Sequence, residues 1–108
     1  MILRFEGGVD TVTGSLIRIQ AAGQSLLRDC GLFQGPRRAA FERNRTFPFA
    51  ASEISAVILS HAHIDHCGNL PSLLRAGFDG PIHATHATAD LCGIMLRDAA
   101  HIQEQDAA

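Results

Sequence analysis

The sequence predicts a layered α/β domain built on a mixed β-sheet. Short strands joined by glycine turns come first, and strand–helix pairs follow in the second half, an order typical of this class. A chain of 108 residues has room for one domain at most. Because 46% of its residues are hydrophobic and only 19% are charged, the composition favours a globular protein and excludes a disordered one.

Three strands are predicted in the N-terminal part. The first, Ile2–Glu6, is ended by consecutive glycines at positions 7 and 8. The second, Ser15–Gln20, alternates between apolar and polar side chains, the period of a half-buried strand. The turn Ala21–Gly23 leads into the third, Gln24–Arg28. Short connections of this kind predict an antiparallel meander.

The middle of the chain combines a loop with a buried strand. Gly31–Pro48 contains glycines, prolines and charges, so we predict a loop with a helical turn near Arg38–Arg43. Ala56–Ser60 reads AVILS, and such a short apolar run is typical of a strand with both sheet faces covered. The polar segment His61–Asn69 that follows is predicted to be a loop.

The last third predicts helix, strand and long helix. A short helix capped by Asn69 or Ser72 would run to Ala76, and Pro81–Ala84 would form another strand. His86–Asp106 then has the apolar spacing of an amphipathic helix. The predicted buried face comprises Leu91, Met95, Ala99 and Ile102.

Charge and cysteine content exclude several classes of protein. The net charge of −2 provides no general attraction to nucleic acid. Three cysteines without a CxxC pair exclude a disulfide framework and favour a reducing, cytoplasmic location. No apolar run approaches the roughly 18 residues of a membrane span, and the start of the chain lacks a signal-peptide core.

One local segment is basic. It carries Arg37, Arg38, Arg43 and Arg45 against Glu42. These side chains could contact phosphates, but a solvated surface explains them better, since few aromatic rings are interleaved for base stacking. We expect the nearby aromatic rings to anchor the segment on the sheet; these are Phe33, Phe41, Phe47 and Phe49.

The strongest chemical signal is the run His61-Ala62-His63-Ile64-Asp65-His66, directly after the apolar strand. In an extended segment, His61 and His63 point to the same side and can bind one ion. Asp65 and His66 come after the chain has turned and can face a second ion. Imidazole and carboxylate ligands suit zinc, and also iron or manganese. A solvated polar loop is the alternative, but clustering of four such side chains favours metal binding.

The surrounding sequence resembles a known family. AVILSHAHIDHCGNLP is similar to the HxHxDH segment of the metallo-β-lactamase fold. Asp10–Ser15, Asp29–Pro36 and Arg97–Ala107 resemble the β-CASP branch, whose members are zinc-dependent RNA exo- and endonucleases. The resemblance implies the N-terminal part of a four-layered αββα fold, with flanking helices on a mixed sheet. Residues 1–108 would then be a partial domain.

The resemblance also implies roles for individual residues. His61 and His63 would bind one zinc ion, and Asp65 and His66 the other. Asp65 would be catalytic as well, assisting proton transfer from the attacking water. Asp29 would orient a ligand imidazole through a hydrogen bond, although a turn or strand-end cap is the alternative for this residue.

The remaining ligands of the family, a His, a bridging Asp and a further His, have no match in this sequence. His83, His86 and His101 are expected at the surface or at helix caps, and Cys67 is expected to pack rather than to ligate. The β-CASP insert that covers the RNA cleft is also absent. Since a catalytic zinc normally has three protein ligands, we expect the 108 residues alone to bind zinc weakly and to be inactive.

The predicted function is therefore the N-terminal part of a zinc-dependent RNA exo- or endonuclease. A hydrolase of a small thioester, lactone or β-lactam is one alternative, and an inactive metal-binding fragment is another. RNA is the expected substrate of the complete protein, and no membrane partner is expected. The open sheet edge of a partial domain predicts self-association or pairing with a partner.

Overall fold

The computed structural model describes residues 1–7, 14–34 and 37–107. Its sheet has five strands in the spatial order of the chain. The strands are β1 (Ile2–Gly7), β2 (Leu16–Ala21), β3 (Gln24–Arg28), β4 (Ile54–Ile58) and β5 (Ile82–His83). The α-helices are α1 (Arg37–Arg45), α2 (Ile64–Cys67), α3 (Leu70–Arg75) and α4 (His86–Ala107), and a 3-10 turn covers Ala51–Glu53. None of the described helices is both long and apolar enough to cross a membrane.

The first three strands form the predicted antiparallel meander. β1 pairs with β2, and β2 pairs with β3, both in antiparallel orientation. Ala22 and Gly23 join β2 to β3 with φ angles of 51° and 76°. Positive φ at both central residues is typical of the tight hairpin turns that match the natural strand twist.

The sheet then continues in parallel orientation, so it is mixed as predicted. β3 pairs with β4, placing Leu27 beside Val57, and β4 pairs with β5. Both of these side chains are fully buried. The prediction that both faces of β4 are covered is wrong for Ile58, which is 42% exposed.

A single apolar cluster joins the inner strands to the segments that follow them. Leu73 of α3 is fully buried, and Phe78 just after that helix is 3% exposed. The buried members of the cluster are Leu27, Cys30, Ala51, Ile54, Val57, Leu59, Ala62, Cys67, Leu70, Leu73, Phe78 and Cys92. This core therefore fixes the loop after β4 against α3 and α4.

The segment predicted as a loop over 61–69 contains a one-turn helix, α2. His63 is extended, with φ −73° and ψ 149°, and its carbonyl accepts hydrogen bonds from the amides of His66 and Cys67. Asp65 lies in the first turn, where a carboxylate is favourable. Four residues are too few to show helical periodicity, so the polar composition alone pointed to a loop.

Helix α3 agrees with its prediction within one or two residues. Asn69 is the N-cap residue, but its side chain makes no capping hydrogen bond; its amide donates to the carbonyl of Cys30 at 3.0 Å. The helix ends at Arg75, and Gly77 follows with a φ of 119°. Asn69 thus connects the start of α3 to the loop after β3 through its backbone amide.

The long helix α4 is present, but its predicted buried face is right for Met95 and wrong for Leu91 and Ile102. Leu91 is 54% exposed and Ile102 is 51% exposed, whereas Thr88 and Cys92 are 9% and 7% exposed. Met95 and Leu96 pack against the core. The small side chains of Thr88 and Cys92 let the helix backbone lie close to α2, and this approach turns the larger Leu91 outward.

The basic segment forms a helix, α1, longer than the predicted turn. The Asn44 side chain accepts from the Phe33 amide at 2.8 Å and donates to its carbonyl at 3.0 Å. The Arg43 guanidinium lies 4.3 Å from the Phe33 ring centroid. Phe47 and Phe49, with ring centroids 5.5 Å apart, pack against the core, which confirms their predicted anchoring role. The Phe41 side chain and residues 10–13 and 35–36 lie outside the described part of the chain.

Candidate metal centre

The candidate site lies at the carboxyl end of β4, where three segments of the chain cross. Ser15 donates its amide hydrogen to the carbonyl of Asp65 at 2.9 Å, and Cys30 donates to that of His66 at 2.8 Å. Leu32 donates to the carbonyl of Ile64 at 3.1 Å. The short helix α2 is therefore held by backbone hydrogen bonds from segments 14–15 and 29–32, in addition to the packing of Cys67 in the core.

Gly31 permits this crossing. A Cβ atom at this position would lie 1.7 Å from the carbonyl oxygen of Asp65 and 2.8 Å from the amide nitrogen of Ser15. The Gly31 amide also donates to the carbonyl of Ser15 at 2.9 Å. Glycine therefore permits a close backbone approach at this position. The same holds for Gly14, with φ 78°, where a Cβ would lie 3.2 Å from the Cα of Phe33.

The structure brings the four predicted ligands together. One ligand atom each from His61, His63 and Asp65 lies within 4.8 Å of the others. The ring centroids of His61 and His66 are 3.8 Å apart, and Nε2 of His66 lies 3.4 Å from Oδ2 of Asp65. The Asp65 carboxylate therefore stands within reach of both predicted ligand pairs.

Asp29 lies behind this group, fully buried, with a left-handed φ of 65°. Its Oδ1 accepts from the amide of Ser60 at 2.7 Å, and its Oδ2 lies 2.8 Å from Nδ1 of His66. A hydrogen bond at Nδ1 leaves Nε2 as the ring atom that can bind a cation. The Asp29 amide also donates to the carbonyl of Ile58 at 2.9 Å, so the residue closes the strand end as well.

Sequence reasoning missed Ser60. Its hydroxyl lies 2.7 Å from Oδ2 of Asp29 and 3.1 Å from Nδ1 of His61. The signal available in the sequence was its place between the apolar strand and the first histidine. A serine there is also common as a simple strand end, and only the contact with Asp29, 31 residues earlier, distinguishes the two cases.

The cysteines near the site are neutral packing residues. Burial, with smaller contributions from Asp29 and Cys67, raises the pKa of Cys30 from 9.0 to about 12. Burial, followed by a hydrogen bond with Cys92, raises the pKa of Cys67 to about 12. The Cys67 thiol donates to the carbonyl of Ala62 at 3.6 Å. Because a thiolate is the form that binds metals, a raised pKa disfavours ligation by either residue.

The remaining histidines are not part of this group of ligands. His83, His86 and His101 are exposed. Nε2 of His101 lies 3.1 Å from the side-chain nitrogen of Gln105 on the same helix. In the part of the chain that the structure describes, His61, His63 and Asp65 form the one group of at least three such side chains within ligating distance.

Comparison with known families identifies the chain. Residues 7–103 match the family model of the metallo-β-lactamase superfamily. The chain belongs to this superfamily. The superfamily and the HxHxD group together imply that the protein uses a metal. The ligand groups fit a metal ion, since imidazole and carboxylate groups converge and Nδ1 of His66 contacts Asp29, which leaves Nε2 to bind the ion.

Curated relatives lie among RNA-processing proteins. The chain is 43% identical over 99 residues to Ribonuclease TTHA0252 of Thermus thermophilus, an alignment that covers 92% of this chain and 22% of the relative. It is 35% identical to Transcription termination factor FttA of Methanocaldococcus jannaschii, covering 94% and 16%, respectively. It is also 35% identical to Integrator complex subunit 11 of Danio rerio, covering 85% and 16%. The predicted superfamily and its β-CASP RNA-processing branch are confirmed.

Solved structures support the fold. A metallo-β-lactamase from Cronobacter sakazakii with a HARLDQ motif aligns with a TM-score of 0.54 at 25% identity, covering 74% of this chain and 28% of that one. The Rm3 metallo-β-lactamase aligns with a TM-score of 0.53 at 24% identity, covering 80% and 32%. The chain thus spans less than a third of these structures and between 16% and 22% of the curated relatives described above.

Proposed function

We propose that this chain is the N-terminal part of a zinc-dependent hydrolase that cleaves RNA phosphodiesters. The observation that carries the proposal is the convergence of His61, His63 and Asp65 to within 4.8 Å at the end of β4. Similarity to a protein named as a ribonuclease supports RNA as the substrate class. A small-ester or β-lactam substrate has no comparable support, since the β-lactamase structures described above are at most 25% identical.

The proposed metal centre holds two zinc ions in the complete protein. His61 and His63 would bind the first, and Asp65 and His66 the second. Zinc in such a site supplies a water nucleophile at neutral pH and stabilises charge on the phosphoryl oxygens. Asp65 would also accept a proton at its carboxylate, while Asp29 holds the His66 ring through its 2.8 Å contact with Nδ1.

The complete centre needs residues beyond the 108 described by this sequence. We propose that residues 1–108 are a partial domain and that the missing His, Asp and His ligands belong to the rest of the protein. Two protein ligands per ion leave each zinc below the usual three. The 108-residue chain alone is thus expected to bind zinc weakly and to be inactive on RNA. We further propose a cytoplasmic protein that pairs through its open sheet edge, with itself or with a partner.

Titration of the purified chain with zinc, measured by calorimetry, tests the ligand assignment. His61→Ala and His63→Ala should each weaken zinc binding at least about tenfold, because each removes a direct ligand. His101→Ala is the matched control, since this exposed histidine lies on α4 outside the cluster. Equal affinities for His61→Ala and His101→Ala would contradict the assignment.

RNA cleavage by the complete protein tests the reaction. Asp65→Asn should abolish cleavage of single-stranded RNA, and removal of zinc by a chelator should do the same. Asp98→Asn serves as the control carboxylate, since Asp98 is exposed on α4. An active Asp65→Asn variant, or activity that survives the chelator, would overturn the proposal.

A further inference from the structure

The hydroxyl of Ser60 joins a buried carboxylate to a candidate ligand. Ser60 Oγ lies 2.9 Å and 2.7 Å from the two oxygens of Asp29. On its other side it lies 3.1 Å from Nδ1 of His61 and 3.4 Å from Nδ1 of His66. Asp29 also reaches Nδ1 of His66 directly, at 2.8 Å. Ser60 is therefore the group that links Asp29 to His61.

The number of hydrogen atoms available in this network determines which group donates and which accepts in each hydrogen bond. A carboxylate only accepts hydrogen bonds, and a serine hydroxyl has one hydrogen to donate. That hydrogen is best placed toward Asp29, since the 2.7 Å contact is short and charge-assisted. The Ser60 oxygen is then left as an acceptor, and the nearer ring nitrogen is Nδ1 of His61 at 3.1 Å, since Nδ1 of His66 is 3.4 Å away and already contacts Asp29 at 2.8 Å. Nδ1 must carry the hydrogen, so Nε2 keeps its lone pair.

We propose that Ser60 is a positioning residue that fixes the His61 ring in its Nδ1–H tautomer and presents Nε2 to the metal. Asp29 performs this task for His66 directly, and Ser60 extends it to His61. One buried carboxylate thereby sets the same tautomer in one histidine of each proposed ligand pair. The consequence for metal binding rests on the proposed zinc site; the tautomer itself does not.

The backbone makes this proposal testable with a small change. The Ser60 amide donates to Oδ1 of Asp29 at 2.7 Å independently of the hydroxyl. Ser60→Ala thus removes the hydroxyl and keeps the backbone hydrogen bond. Ser60→Thr retains a hydroxyl on Cβ and is the matched conservative variant. Ser60 lies at an exposed position, so neither change creates a core cavity.

The decisive measurement is the tautomer of each histidine in the metal-free chain, read from long-range ¹H–¹⁵N spectra. The wild type and Ser60→Thr should show Nδ1–H at His61 and at His66. In Ser60→Ala, His61 should shift toward the Nε2–H form that free histidine prefers, while His66 should stay unchanged because it contacts Asp29 itself. An Nε2–H tautomer at His61 in the wild type would overturn the proposal, as would an unchanged His61 in Ser60→Ala.

Zinc affinity is the second readout. Loss of a group that orients a ligand typically weakens metal binding about 10- to 100-fold, so Ser60→Ala should weaken it about tenfold and Ser60→Thr by less than about threefold. Equal affinities for wild type and Ser60→Ala would contradict the positioning role. Failure of the complete wild-type protein to bind zinc would instead refute the proposed metal site, and the metal-free tautomers would still decide the role of Ser60.

Discussion

The crossing of segments 14–15, 29–32 and 58–69 and the long helix α4 are organised differently. At the crossing, backbone groups bond directly to each other, as when Cys30 donates to His66 at 2.8 Å, and the side chains of Cys30 and Cys67 are fully buried. On α4, by contrast, Leu91, Ile94 and Ile102 are each more than half exposed. The crossing is thus determined within these 108 residues, whereas the outer face of α4 is not.

The crossing positions the proposed metal ligands, whereas the outer face of α4 carries none of them. The ligands His61 and His63 follow a buried strand and precede a helix whose carbonyls are bonded by neighbouring loops. The positions of these ligands therefore depend on how closely the backbone segments of the crossing approach one another, so one added atom can disturb them. The outer face of α4 should tolerate change because its apolar side chains are more than half exposed. Substitutions in the two regions should differ in size and even in sign.

Gly31→Ala should have the largest effect. The added Cβ would overlap the carbonyl oxygen of Asp65, and the crossing can accommodate it only if the backbone moves. We expect a loss of about 3 kcal/mol or more in the free energy of unfolding, together with loss of zinc binding. Urea unfolding followed by circular dichroism measures the first effect. A variant as stable as wild type would show that the crossing is not rigid.

Cys92→Gln and Leu91→Gln compare the two faces of α4. Cys92 is 7% exposed and Leu91 is 54% exposed, although the sequence pattern placed Leu91 on the buried face. Cys92→Gln should cost about 2 kcal/mol of unfolding free energy, because it places an unpaired amide in the core, and Leu91→Gln should cost less than about 0.5 kcal/mol. A larger loss for Leu91→Gln in thermal or urea unfolding would support the originally predicted face.

Alkaline pH should destabilise the crossing through its buried thiols. Cys30 has a pKa of about 12 in the fold against 9.0 for an ordinary thiol, so the unfolded chain loses this proton first. The contribution of the buried Cys30 thiol to the free energy of unfolding is complete below pH 9 and is lost as the pH rises from 9 toward 12. Between pH 8 and pH 10, the free energy of unfolding should fall by about 1 kcal/mol because Cys30 loses its proton in the unfolded chain.

Cys30→Ala is the control for this pH dependence. It removes the titrating group, so its unfolding free energy should fall less between pH 8 and pH 10 than that of the wild type. The comparison uses the slope with pH, which the loss of packing in the variant does not affect. Identical slopes for the two proteins would contradict the assignment to Cys30.

The sequence predicted the local features of both regions better than their contacts. Gln24–Arg28 was predicted with its observed bounds, and the run from His61 to His66 was identified as one cluster, because alternation and ligand spacing are written in consecutive residues. The contact of Ser60 with Asp29 joins residues 31 positions apart, and no local pattern encodes it. The buried face of α4 was predicted for Met95 but missed for Thr88 and Cys92, for the same reason. Which side of a helix is covered depends on its neighbours, and small residues such as Thr88 and Cys92 carry little hydrophobic signal.

Gly93→Ala should have the smallest effect, and its sign should be opposite to that of Gly31→Ala. Gly93 lies inside α4, and a Cβ there would meet no atom within 4 Å. Alanine reduces the conformational entropy of the unfolded chain and favours the helix, so we expect a gain of about 0.5–1 kcal/mol in the free energy of unfolding. Zinc affinity should stay unchanged, since α4 carries none of the proposed ligands. Urea unfolding of both alanine variants, measured side by side, decides the matter: a loss of stability in Gly93→Ala would show that α4 is constrained at this position as well.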